Sequence, residues 1–262
     1  MEFILCFNFV NVMLWGLFIL VFLSTFLTFF CGFGLGTLLF AVLLPLYPAE
    51  IAISFIAVIH LSQSVFKVLL NRAVSWRIFI RFGLSSMVFA LFGALLLDVL
   101  VTHTLVLYRL DFLQGKSVTL IKFLMGILLL LFAVIERWKD NRWKNVPLWL
   151  GGALSGFFGG LSGHQGALRS IFLIDNIKDK AVFIATGAMI SVANDVVRLS
   201  VYTQSFSLYT LPVPALLVGI FGALLAVIIG TFTLKKVSFS LLQTLVFTAL
   251  CLLGLSLLIG WV

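Results

Sequence analysis

The chain has 262 residues, of which 63% are hydrophobic and 10% charged, with a formal charge of +8 and a mean hydropathy of +1.25. That composition excludes an ordinary water-soluble domain, and at about 20 apolar residues per crossing the chain can supply roughly eight membrane spans. The 17 Lys and Arg, against nine Asp and Glu, sit mostly in short segments between apolar runs. This distribution fits membrane loops and excludes a nucleic-acid surface.

Apolar runs at 12–30, 51–70, 78–100, 119–136, 147–161, 181–203, 212–233 and 240–260 are the candidate spans. No basic head or small-residue cleavage site precedes the first, so that helix is expected to stay with the mature chain. The fold expected is therefore all-α, a polytopic transmembrane bundle of about eight spans. Between the first and second runs lies a short apolar piece, 37–46, entered through Cys31-Gly32-Phe33-Gly34-Leu35-Gly36 and left through Pro45 and Pro48. It is too short to span alone.

The second run carries His60, Gln63, Ser64 and Lys67 on one helical stripe, with Lys67 expected to anchor the helix at the interface. Arg72, Arg77 and Arg81 follow it, and Arg137, Lys139, Arg142 and Lys144 follow the fourth run. Both basic loops are predicted to be cytoplasmic. Arg109 and Lys116, between them at 101–118, and Lys235 and Lys236 near the end fit that bias less well.

After the fifth run the earlier layout recurs. Gly159-Gly160-Leu161-Ser162-Gly163-His164-Gln165-Gly166 leads into another short piece, 167–174, and superposing Gly34 on Gly163 brings Ala52-Ile53 onto Ala181-Val182. Two structural repeats are expected: 1–137, a basic cytoplasmic linker at 138–146, and 147–262. Glycine costs a helix about 1 kcal/mol relative to alanine, so such clusters need a reason. One is close packing, for which Gly152, Gly156 and Gly160 have the four-residue spacing. The other is a broken or re-entrant helix, which is tolerated in lipid only where it faces protein or a wet cavity and whose amide end favours an anion. Repetition in both halves favours the second. If each glycine-broken segment completes its crossing, both termini are cytoplasmic and the halves are parallel, whereas re-entrant segments would change that count.

His164, Gln165 and Arg169 stand at the second break. An arginine at membrane depth costs about 2.5–3.5 kcal/mol and must face a cavity or partner, which makes Arg169 the leading anion ligand. The candidate substrate-binding set is Gly32, Gly34 and Gly36 from the first break, with Gly163, His164, Gln165, Gly166, Arg169, Ser170 and Asn194 from the second half. His164 can donate to an anion, carry a proton or bond a broken-helix carbonyl. Ser191, Asn194, Asp195 and Arg198 share one stripe of the sixth run. Asp195 and Arg198 can pair with each other or, with His60 and His164, carry coupling protons; Arg198 can instead snorkel to the surface.

Cys6, Cys31 and Cys251 have no paired spacing and indicate neither a disulfide framework nor a metal site. The chain has no HExxH, GxSxG, histidine box or P-loop. Neither catalysis nor a cofactor is indicated, and any active transport must draw on an ion gradient or a partner.

At these residues the chain resembles the sulfite exporter TauE/SafE family of membrane permeases. The resemblance rests on Gly32-Phe33-Gly34-Leu35-Gly36 with Pro45, on the stretch from Gly156-Phe157-Phe158-Gly159-Gly160 through Gly166-Ala167-Leu168-Arg169-Ser170, and on Lys180-Ala181-Val182-Phe183-Ile184-Ala185-Thr186-Gly187. His164, Gln165 and Arg169 depart from the common family pattern and are similar to a subgroup with a Gln-Gly-Ala-x-Arg-Ser signature. What the resemblance implies is a two-repeat bundle that moves sulfite, thiosulfate or a small organosulfonate across the bacterial inner membrane, coupled to protons, with ligands at the two breaks. The expected partners are thus that anion, a proton or other coupling ion, and lipid; homo-oligomerisation stays open. An uncoupled anion channel and a non-transporting membrane subunit are the competing readings.

Overall fold

The computed structural model describes the chain apart from residues 1, 32–34, 44–46, 48, 104, 111–115, 138–145, 164, 206–211, 234–238 and 262. Helices α1 (Glu2–Cys31), α2 (Leu35–Leu43) and α3 (Ala49–Asn71) are followed by α4 (Trp76–Ile78), which passes through a π turn (Phe79–Gly83) into α5 (Leu84–Thr102). Strands β1 (Val106–Leu110) and β2 (Lys116–Thr119) precede α6 (Leu120–Arg137), α7 (Leu148–Ser162), α8 (Gln165–Ile174), α9 (Lys180–Ser205), α10 (Val213–Thr233) and α11 (Phe239–Leu258).

All eight apolar runs carry helix, yet among the described residues five helices are long and apolar enough to cross a membrane: Val12–Phe29, Ile51–Asn71, Trp76–Thr102, Lys180–Gln204 and Val213–Thr233. The expected eight spans are not confirmed among these residues. Leu120–Ile135 and Leu148–Ser162 are shorter apolar helices. With 15 residues, α7 rises about 22 Å, which is less than a hydrocarbon core of about 30 Å. It also turns back. A Cβ on Gly151 would lie 2.5 Å from the Phe172 ring and one on Gly159 would lie 2.7 Å from Gln165 Cβ, so α7 and α8 form an antiparallel hairpin.

The class is all-α as expected, and 101–118 adds one short β hairpin to it. β1 and β2 pair antiparallel, Leu110 opposite Lys116 and Arg109 opposite Ser117. Val106, Tyr108 and Val118 supply the β-branched and aromatic residues a strand favours. The Tyr108 hydroxyl donates to the Leu258 carbonyl, and its ring meets Phe123 edge-on at 6.4 Å. The hairpin is thereby fastened to the ends of α6 and α11.

Packing is paired. α1 lies on α10, α5 on α7, α3 on α9 and α6 on α11. Phe18 meets Gly222 and Phe29 meets Gly230, so α1 and α10 run parallel; Phe82, Ser86 and Ala90 meet Gly152, Gly156 and Gly160, so α5 and α7 do too. The outer faces are apolar, with Trp15, Phe92, Phe221 and Phe232 exposed, while Gln63, Lys67, Arg169, Asn194, Asp195 and Arg198 are buried. That inverted distribution suits lipid as the surrounding solvent.

Candidate functional site

The interior polar groups converge where the interrupted helices meet. α1 stops at Cys31 and α2 begins at Leu35; α7 stops at Ser162 and α8 begins at Gln165. Gly163 has φ of 76°, a left-handed conformation that favours glycine, and its N–H closes on the Gly159 carbonyl at 2.9 Å. A Cβ on Gly36 would lie 3.5 Å from the Gly163 carbonyl oxygen, so the start of α2 faces the second break directly. One on Gly163 would lie 2.7 Å from Arg198 Nη1. The glycine thus leaves room for a guanidinium.

Helices α3 and α9 cross this centre in opposite directions. His60, midway along α3, meets Asp195 on α9, and the Ser75 amide just beyond α3 donates to Thr186 Oγ1 near the start of α9 at 2.9 Å. His60 Nδ1 lies 2.6 Å from Asp195 Oδ2, a bond in which the carboxylate accepts. Arg198 Nε donates to Asp195 Oδ1 at 2.9 Å, and Arg198 Nη2 lies 2.8 Å from the same oxygen. Asp195 is fully buried and Arg198 is 1% exposed. The pairing is internal, so Arg198 does not snorkel to the surface.

Beside this cluster is a cavity lined from α1, α2, α3, α8 and α9. His60, Gln63, Ser64 and Lys67 face it from α3, Arg169 and Ser170 from α8, and Ser191 from α9. Arg169 Nη1 donates to the Ser191 hydroxyl, and Gly187 leaves its guanidinium space. Lys67 Nζ stands 5.3 Å above the Phe29 ring. The residue is 8% exposed, which corrects the expectation of an interfacial anchor. The ammonium turns inward over that α1 ring, into a cavity whose other walls include Phe183, Ile184 and Gly187 of α9.

Of the sequence-predicted ligands, Arg169 and Ser170 line the cavity, as does His60 from the coupling set. Gln165 and Asn194 stand behind it and bond to each other: the Asn194 side-chain N–H donates to Gln165 Oε1 and to Ser86 Oγ, the latter at 2.7 Å. Gly36, Gly163 and Gly166 are backbone neighbours of the breaks. Gly32, Gly34 and His164 lie outside the described residues. Gln63, Ser64, Ser191 and Lys67 join the site although they were not candidate ligands; the signal was their helical spacing with His60 and Asp195. Among the described residues no group of three His, Cys, Asp or Glu side chains could hold a metal ion.

The fold and this interior define a multi-pass α-helical membrane protein with a buried, cation-lined cavity at the junction of its interrupted helices. The family model for the sulfite exporter TauE/SafE matches residues 17–257. The chain belongs to that family, a family of membrane transport proteins. No curated protein and no solved structure matches it.

Proposed function

We propose that the chain is a secondary permease that moves a small sulfur-containing anion, such as sulfite, thiosulfate or an organosulfonate, across the bacterial inner membrane with proton coupling. The observation that carries this reading is the Arg169 guanidinium beside the Lys67 ammonium in a cavity at the meeting of two helix breaks. An anion there offsets charge that hydrocarbon cannot solvate. His60 and Asp195 form the proton-accepting pair, and Arg198 holds the carboxylate in place when the proton leaves.

The architecture fits alternating access by two inverted repeats, 1–137 and 147–262, joined through the basic linker 138–146. In support, the corresponding helices α3 and α9 run antiparallel. α7 and α8 re-enter on one side, and the parallel pair α1–α10 mirrors the parallel pair α7–α5. With the Arg72, Arg77 and Arg81 loop cytoplasmic, the C-terminal end of α10 falls on the same side.

Proteoliposomes holding the purified protein and driven by an imposed pH gradient test the reading. Labelled sulfite or thiosulfate is expected to accumulate above its outside concentration, and Arg169→Ala that inserts normally is expected to lose that uptake. Full uptake by that variant removes the site assignment. Flux that equilibrates without ever concentrating the anion leaves an uncoupled channel, and no flux of any tested anion leaves a non-transporting subunit.

A further inference from the structure

We propose that the outer face of α4 and α5 binds an anionic phospholipid, with Arg77 and Arg81 holding the phosphate and the apolar stripe that leads away from them taking the acyl chains. The cavity is lined from α1, α2, α3, α8 and α9, so this face stands apart from the transport site. Trp76, Ile80, Leu84, Val88 and Phe92 follow one another in steps of four and are 51–58% exposed. In a helix that spacing makes one gently winding apolar stripe. Arg77 and Arg81, both exposed, flank its head, each one residue on from Trp76 or Ile80. Neither guanidinium has an ion-pair partner among the described residues.

Two independent observations set the depth of the pair. Trp76–Thr102 has 27 residues, about 40 Å of helix against a hydrocarbon core of about 30 Å, so its ends stand at headgroup level. Gly152 of α7 packs on Phe82, and the parallel course of the two helices brings Trp149 to about the level of Phe79, between the two arginines. Trp76 and Trp149 are 58% and 57% exposed, and exposed indoles mark the membrane interface. Arg81 lies in the π turn Phe79–Gly83, which fits more residues into a turn than an α-helix does. The four-residue step from Arg77 therefore leaves both guanidinium groups on one side of the helix. Their planar forks match phosphate oxygens. Two cations side by side also repel the ammonium of a zwitterionic headgroup, which favours a lipid with net negative charge.

Dioctanoyl phosphatidylglycerol and dioctanoyl phosphatidylcholine share their chains and phosphodiester and differ in net charge, which makes them the probes. Titrated into the purified full-length protein in a nonionic detergent and read by thermal unfolding, phosphatidylglycerol is expected to bind about tenfold tighter. Replacing both arginines, Arg77→Gln with Arg81→Gln, is expected to abolish that preference. Replacing two exposed cations at the α8–α9 junction, Lys178→Gln with Lys180→Gln, is expected to keep it. Chain-free glycerophosphoglycerol is expected to give no shift at the same concentrations. Equal wild-type affinities for the two lipids, or an equal loss of preference in both double variants, overturns the site and leaves unspecific surface attraction. A shift with the chain-free compound as large as with the lipid overturns the lipid as occupant and leaves a soluble phosphodiester in its place.

Discussion

Two seams hold the bundle together, and they are made of different material. Where α5 meets α7, backbone touches backbone: a Cβ on Gly152, Gly156 or Gly160 would lie 2.1, 2.0 and 2.0 Å from the carbonyl oxygens of Phe82, Ser86 and Ala90. Where α1 meets α10, rings intervene. Phe18 stacks on Phe22 at 6.2 Å and on Phe221 at 6.0 Å, and a Cβ on Gly222 would still be 3.1 Å from the Phe18 carbonyl. Packing without side chains admits one register, because any slide drives a carbonyl into the opposite helix. Rings can tilt and re-stack at small cost. The seam beside the second break is therefore a fixed scaffold, and the seam beside the first, which carries Phe29 into the cavity, is the one able to shift.

The largest expected effect is on the fixed seam. Gly156→Ala should lower the unfolding free energy by about 3 kcal/mol, since its methyl group must displace the Ser86 carbonyl; thermal unfolding of the detergent-solubilised protein reads it. A milder loss follows Phe18→Leu, about 1 kcal/mol for two ring contacts, by the same measurement. The smallest effect belongs to Gly222→Ala, within about 0.5 kcal/mol of wild type, because a shift of a few tenths of an ångström by the Phe18 carbonyl and ring is offset by alanine's better helix propensity. If Gly222→Ala unfolds the protein as readily as Gly156→Ala, the two seams are equally rigid and the contrast is lost.

The bilayer explains how much of this was legible. Hydrocarbon tolerates only satisfied backbone, so all eight apolar runs announced helices and the glycine clusters announced interruptions. The four-residue glycine spacing was read as either packing or a break, and both occur in one stretch. Gly152, Gly156 and Gly160 close on α5, and Gly163 turns the chain. Whether α7 crosses or returns was not legible, because that depends on what its far end meets. Lys67 is hidden for a similar reason: a lysine a turn from a helix end ordinarily reaches water, and here a ring on α1, far away in sequence, draws it inward. Gln165 and Asn194 had the right chemistry for ligands, but spacing along a chain cannot say that two amides 29 residues apart will satisfy each other. Arg109 and Lys116 disguised a hairpin whose strand character lay in Val106, Tyr108 and Val118.

The Asp195 carboxylate is held by Arg198 on its own helix and by His60 on α3, across the midline of the molecule. Parting α3 from α9 would strand that anion short of a donor in a medium that cannot hydrate it, at a cost of several kcal/mol. If access alternates as proposed, motion that exposes the cavity to either face leaves this junction closed and swings the outer helices about it, with Asp195, the buried acid among the described residues, as the fulcrum of the lever.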